Sequence, residues 1–207
     1  MESVKNKSFG RFLIVWMGQF ISSIGSGLTG FALGVYAYQQ THTATSFAMI
    51  TLCSFLPSIL LRPFGGVMAD RFDRRLMMVL GDLGSASGLV FILIMMMTGN
   101  TELWPIYLGV TVSSVFVALQ SPAYKASVTD LLTEDEFSKA SGLVQLAESS
   151  KYLFSPIIAG FLFSVTGIQP ILIIDISTFI VAILAVLFVK KELQLIHKDS
   201  ENQHLLK

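Results

Sequence analysis

The stretch Phe47–Thr98, FAMITLCSFLPSILLRPFGGVMADRFDRRLMMVLGDLGSASGLVFILIMMMT, decides the fold. Two apolar runs, Phe47–Ala69 and Leu76–Thr98, are separated by little more than a turn carrying Asp70, Arg71, Asp73, Arg74 and Arg75. Each run is close to the ~20 residues an α-helix needs to cross a bilayer. The pair therefore reads as a membrane-spanning helical hairpin held on one side by its charged turn. Four further runs repeat the pattern, at Phe12–Tyr38, Trp104–Gln120, Ala140–Val165 and Ile171–Val189. Six spans take up most of the 207 residues, of which 53% are hydrophobic and 14% charged. Soluble domains carry about 25% charged residues, so a single soluble domain is excluded. The expected fold is an all-α polytopic six-helix bundle over residues 1–189, with a solvated polar tail or linker over 190–207.

Acidic and basic side chains balance at 14 each, which gives no footprint for nucleic acid, and the expected partner is the lipid bilayer. Cys53 stands alone, and His42, His197 and His204 are scattered, so neither a disulfide framework nor a metal site is expected. No nucleotide-binding signature and no Ser/His/Asp or Cys/His arrangement is evident, so neither an enzyme nor a cofactor is expected. Lys5, Lys7 and Arg11 before an apolar run resemble a signal peptide, but the run far exceeds the 7–15 residues of an h-region. It reads as a retained first span. With the N-terminus cytoplasmic, 12 of the 14 basic residues fall on inner segments, and the outer turns near 39–46, 99–103 and 166–170 hold none. Basic loops resist translocation, so both termini are expected in the cytoplasm, at the cell membrane. The inner connection Ser121–Lys139 reads as a surface amphipathic segment, with Thr133 and Glu136 at capping-box spacing.

Ionisable residues inside spans each cost at least about 2.5–3.5 kcal/mol at mid-membrane, so they call for a role. Arg62, Asp82, Glu148, Lys151 and Asp175 are the set. Ser54, Ser58 and Arg62, four apart, form a polar stripe. Arg62 and Asp82 lie about 12 and 10 Å from the turn residues Asp70 and Arg75, which predicts an ion pair at similar depth. Snorkelling is the other reading of Arg62. Gln145, Glu148, Tyr152 and Ser155 cluster on one face of the fifth span. Glu148 and Lys151, three apart, form either a protonatable switch or an inert pair. Asp175 either carries protons or reaches the interface. In the first span Gly18, Ser22, Ser26, Gly30 and Gly34 recur every four residues, a ridge for close helix packing. Gln19, Ser22, Ser23 and Ser26 also share a face, which suits a polar pathway. Basic residues within spans two and five, and an Asp near the start of spans three and six, fit a 3+3 inverted repeat.

Gly66, Asp70, Arg71, Arg74 and Arg75 in the inner turn resemble the G-x-x-x-D-R-x-x-R-[KR] signature of the major facilitator superfamily. Asp73 stands where that signature has glycine. Ser22-Ser23-Ile24-Gly25-Ser26, Pro57, Gln120-Ser121-Pro122-Ala123 and Asp175-Ile176-Ser177-Thr178-Phe179 are similar to its drug:proton antiporter branch, which includes macrolide efflux proteins and an enterobactin exporter. The resemblance covers only the N-terminal six-helix half of a twelve-helix fold. It implies a conformational gate at Gly66, Asp70, Arg71, Arg74 and Arg75, and a tail that begins the central loop. The span-five antiporter motif survives only as Ser155-Pro156 and Gly160, and Ile106–Leu119 lacks the usual span-four arginine. Coupling then turns to Glu148, Asp175 and Asp82.

The expected function is one half of a secondary carrier that exports amphiphilic small molecules, drug- or siderophore-like, against protons by alternating access. Gln19, Ser22, Glu148 and Tyr152 are the cavity candidates. The alternatives are a truncated, non-transporting membrane protein or interaction subunit, or a half-size carrier working as a homodimer or with a separate second half.

Overall fold

In hydrocarbon every backbone polar group needs a partner within its own segment, so long apolar runs resolve as helices. The structure, a computed structural model, describes the backbone of residues 2–99, 102–132 and 134–205 and the side chains of residues 9–99, 102–129, 132 and 136–192. Among the described residues there are six helices and no strand. They are α1 (Glu2–Thr41), α2 (Ala44–Arg71), α3 (Arg74–Met97), α4 (Trp104–Leu131), α5 (Glu134–Thr166) and α6 (Ile168–Leu205). Five of them are long and apolar enough to cross a membrane; α5, which carries Gln145, Glu148 and Lys151, is the exception. The chain after Gln120 continues α4 through Pro122 to Leu131, in place of the expected separate surface segment, and the backbone from 190 to 205 prolongs α6. Thr133, half of the expected capping box, lies outside the described residues.

Packing follows the repeat and departs from chain order. Helix α1 packs on α5 and α6, as α4 packs on α2 and α3, and α3 meets α6. Exchanging α1 with α4, α2 with α5 and α3 with α6 maps these contacts onto themselves, as a 3+3 inverted repeat requires; the departure is α1 against α2, whose counterpart α4 against α5 is slight among the described residues. Consecutive α2 and α3 diverge after their turn, and each lies against α4. The main core joins Leu28, Leu33, Ile50, Ile92, Ile106 and Leu172, and a second cluster near the α2–α3 turn joins Val15, Met78 and Val186. Large apolar side chains such as Leu60 and Phe64 on α2, and Phe161 and Val165 on α5, point outward. Helices α5 and α6 are linked by Gly167 alone, at φ +77°, a conformation that L side chains rarely adopt.

Small residues bring the helices close. A Cβ at Gly18 would lie 2.8 Å from Ala185 of α6, and one at Gly34 would lie 2.7 Å from the Phe47 ring of α2. A Cβ on Gly27 would meet Ser155 of α5, whereas Gly30 has open space before it. The expected single ridge on α1 is therefore several separate contacts. Prolines add ties between helices. Pro57 has no N–H, which leaves the Cys53 carbonyl without its helix donor. Ser114 of α4 fills that role, its Oγ donating to Cys53 O at 2.9 Å.

Candidate functional site: a membrane cavity and its buried carboxylates

The backbones of α2 and α5 do not approach each other closely among the described residues, and a cavity of about 650 Å³ lies between them, backed by α1 and α4. Phe55 and Tyr152 stack across the gap at 6.4 Å between ring centroids. Of the expected cavity residues, Gln19, Glu148 and Tyr152 line it, and so does the whole Ser54, Ser58 and Arg62 stripe. Ser22 does not: it is 4% exposed and turned away from the lining, while Ser23 and Ser26 face the cavity.

The expected Arg62–Asp82 pair does not form. Arg62 faces the cavity with no ion pair among the described residues, because α2 and α3 diverge. Asp82, 1% exposed, accepts instead from Gln120 Nε2 at 2.7 Å and Gln19 Nε2 at 3.2 Å. Gln120 also donates to Gln19 Oε1 at 3.3 Å, closing a small network among α1, α3 and α4. Asp175, also 1% exposed, has the partners that could not be read from sequence: Ser26 Oγ donates to its Oδ1 at 3.3 Å and Thr178 Oγ1 at 3.4 Å. Gln19, Gln120 and Ser26 all line the cavity, so one polar side chain separates each carboxylate from it. Asp82 lies eight residues, about 12 Å, from the start of α3, and Asp175 seven residues, about 10 Å, from the start of α6. Those starts are at opposite ends of the bundle, so the two carboxylates occupy equivalent positions of the inverted repeat.

Glu148 and Lys151 do not pair with each other either. Lys125 of α4 reaches Glu148 Oε1 at 3.0 Å, and the Lys151 ammonium lies 5.9 Å from the centre of the Tyr152 ring while interacting electrostatically with Asp175 and Glu148.

At the α2–α3 turn, Asp73 caps α3 by accepting from the Arg75 and Leu76 amides at 2.8 and 3.0 Å. Partial burial pushes its carboxyl up, but these amides and the Lys190 ammonium, 3.7 Å away, together hold it below its ordinary value. Arg74 donates to Ala69 O at 3.4 Å and to Ala126 O at 2.9 Å, fastening the turn to α4. Arg11 pairs with Glu192 at 3.1 Å, joining α1 to α6 at the same end. Asp70 and Arg71 are exposed and Arg75 is half-buried. A Cβ at Gly66 would meet nothing within 4 Å, whereas one at Gly65 would lie 2.9 Å from Ala118 O. Close packing on α4 therefore rests on Gly65.

Residues 15–205 match the family described as Major Facilitator Superfamily. The chain belongs to the major facilitator superfamily. It is 30% identical over 190 residues to macrolide efflux protein A of Streptococcus pyogenes, covering 92% of this chain and 47% of that protein. Multidrug resistance protein 2 of Bacillus subtilis is 26% identical over 99% of this chain and 50% of its own length. The enterobactin exporter EntS of Shigella flexneri is 26% identical over 78% of this chain and 39% of its own length. The chain spans about half the length of the curated relatives it matches. The six helices are thus a half bundle of the superfamily fold. Three residues of this superfamily half were missed as site residues: Gln120, Lys125 and the α3 cap Asp73. An amide near the end of an apolar span and an Asp just before a helix start were the available signals for the first and last.

Proposed function

We propose that this chain forms one half of a proton-coupled exporter of amphiphilic small molecules in the cell membrane, with both termini cytoplasmic. The observation that carries the reading is the cavity: polar and aromatic, inside a membrane bundle, and unclosed between α2 and α5. A second six-helix bundle completes it, supplied by a second copy, a separate chain or the remainder of a longer one. Efflux by the similar macrolide and enterobactin proteins supports the direction. Asp82 and Asp175 are the coupling carboxylates, because each is buried one side chain from the cavity; Glu148 is held by Lys125 and is secondary. The turn with Gly66, Asp70, Arg71, Arg74 and Arg75 is the gate, with Arg74 already bound to α4. The cytoplasmic placement follows from the basic residues gathered at that end.

Dye efflux from cells expressing the chain, driven by an imposed pH gradient, tests this reading. Gradient-dependent efflux that falls in Asp175→Asn and Asp82→Asn and persists in Glu148→Gln supports it. Efflux indifferent to the gradient and to both Asp variants overturns the coupling assignment; absence of efflux from the chain alone overturns completion by a second copy, and absence of efflux when it is joined to a second six-helix half overturns the exporter.

A further inference from the structure

We infer that the cavity takes an anionic amphiphile, with a carboxylate or sulfonate held by Arg62 and an aromatic body against Phe55 and Tyr152. This deepens the exporter reading by naming its substrate class, and it rests on the charges that face the cavity. From α2 comes Arg62; from α5 come Glu148 and Lys151; α1 and α4 add only neutral groups to the lining. Glu148 pairs at 3.0 Å with Lys125, a cation that does not line the cavity itself; both side chains are about half exposed, and even at full charge Glu148 answers only one of the two lining cations. The other nearby carboxylates, Asp82 and Asp175, lie buried behind α1 and are held by neutral donors, Gln19, Gln120, Ser26 and Thr178. Lys151 feels Asp175 and Glu148 but makes no ion pair among the described residues. Arg62 has none among them either. The cavity therefore presents an excess of cations, and one of them is a guanidinium without a fixed partner inside a membrane protein.

Arg62 is exposed to the cavity and holds no carboxylate among the described residues, so a ligand anion there gains a charge partner without displacing one. Guanidinium also matches a carboxylate or sulfonate with two parallel hydrogen bonds, which a primary ammonium cannot do. The position of Arg62 sets the orientation. It lies seven residues beyond Phe55 on α2, about 10 Å along the helix toward the α2–α3 turn. Phe55 is level with Tyr152 through their stack. The anion then sits toward the turn, and the apolar body lies at the aromatic pair, on the side of the cavity that Phe31 and Phe47 also line. A cationic amphiphile placed the same way meets Arg62 head-on.

The test uses the full chain in nanodiscs and two probes with one fluorophore: dansylglycine, a carboxylate, and dansylcadaverine, an ammonium. Binding is read by fluorescence anisotropy against empty nanodiscs. Dansylglycine is expected to bind at least about tenfold more tightly, the scale of one charge-assisted hydrogen-bonded pair. Arg62→Gln should remove most of that preference and leave dansylcadaverine unchanged or tighter. Arg62→Lys should retain the sign of the preference with a smaller ratio, and Phe55→Ala should weaken both probes together. Equal or tighter binding of dansylcadaverine, an equal loss of both probes in Arg62→Gln, or binding of neither probe overturns the inference. The exporter reading fails separately: dansylglycine bound through Arg62, with no gradient-driven efflux when the chain is joined to a second six-helix half, leaves the anion site standing and removes the exporter. Gradient-driven efflux with a preference for the cation does the reverse.

Discussion

Replacing Ser114 with alanine should loosen α2 from α4, by an amount set by a proline on the other helix. Pro57 deprives the Cys53 carbonyl of its intrahelical donor, and Ser114 Oγ supplies one at 2.9 Å while also reaching its own Thr111 carbonyl at 3.0 Å. Ser114 is 8% exposed, so water does not readily take its place. A buried carbonyl left without a donor costs about 1–3 kcal/mol. Hydrogen bonds between membrane helices measure about 0.6–2 kcal/mol, and this hydroxyl is shared between two acceptors. The expected loss is therefore about 1 kcal/mol, or about fivefold in the unfolding equilibrium. Pro57→Ala returns an amide to Cys53 O, and in that background Ser114→Ala should cost almost nothing. The double-mutant cycle then gives a coupling of about 1 kcal/mol. Unfolding in mixed micelles with rising dodecyl sulfate, followed by Trp16 and Trp104 fluorescence, measures each corner. Ser54→Ala is the control, because that hydroxyl bonds back to Ile50 O within α2. Equal losses with and without Pro57 would refute the reasoning, whatever their size.

Three further outcomes are expected. Gly65→Ala should lower stability by about 1–3 kcal/mol through overpacking against the Ala118 carbonyl, while Gly66→Ala, with open space before it, should gain up to about 1 kcal/mol from helix propensity; the same micelle titration separates them. Asp73→Ala should cost about 1 kcal/mol by removing the α3 cap. The Asp73 carboxyl is held below its ordinary value, so this difference is full above about pH 5 and closes as the pH falls through the lower folded value; unfolding at several pH values checks the sign. Asp82→Leu should cost about 2–4 kcal/mol, because it strands the Gln19 and Gln120 amides, whereas Asp82→Asn keeps an acceptor for Gln120 and should cost less than half as much. A thermal denaturation series in one detergent is enough to rank the two.

The spans could be read from sequence because apolar length is a one-dimensional property; the site could be read only in part, because it depends on direction around each helix. Counting residues from the α2–α3 turn placed Arg62 and Asp82 at similar depth. It carried no information on whether α2 and α3 face each other, and they do not: each turns to α4, so Arg62 meets the cavity and Asp82 meets Gln120. The α1 small-residue pattern misled for a related reason. Each step of four advances about 40° beyond a full turn, so Gly18 and Gly34 end roughly 160° apart around the helix. Gly18 accordingly packs on α6 and Gly34 on Phe47 of α2, with Gly30 left open toward the cavity between them. Spacing of three on α5 allowed Glu148 to meet Lys151, but a side chain from another helix, Lys125, has the better approach. That substitution bears directly on function. With Glu148 paired from outside the lining, the uncompensated charge facing the cavity rises from one cation to two. A sequence-level tally of Arg62, Glu148 and Lys151 cannot separate those two cases, since the difference lies in which helix supplies Glu148 with its partner.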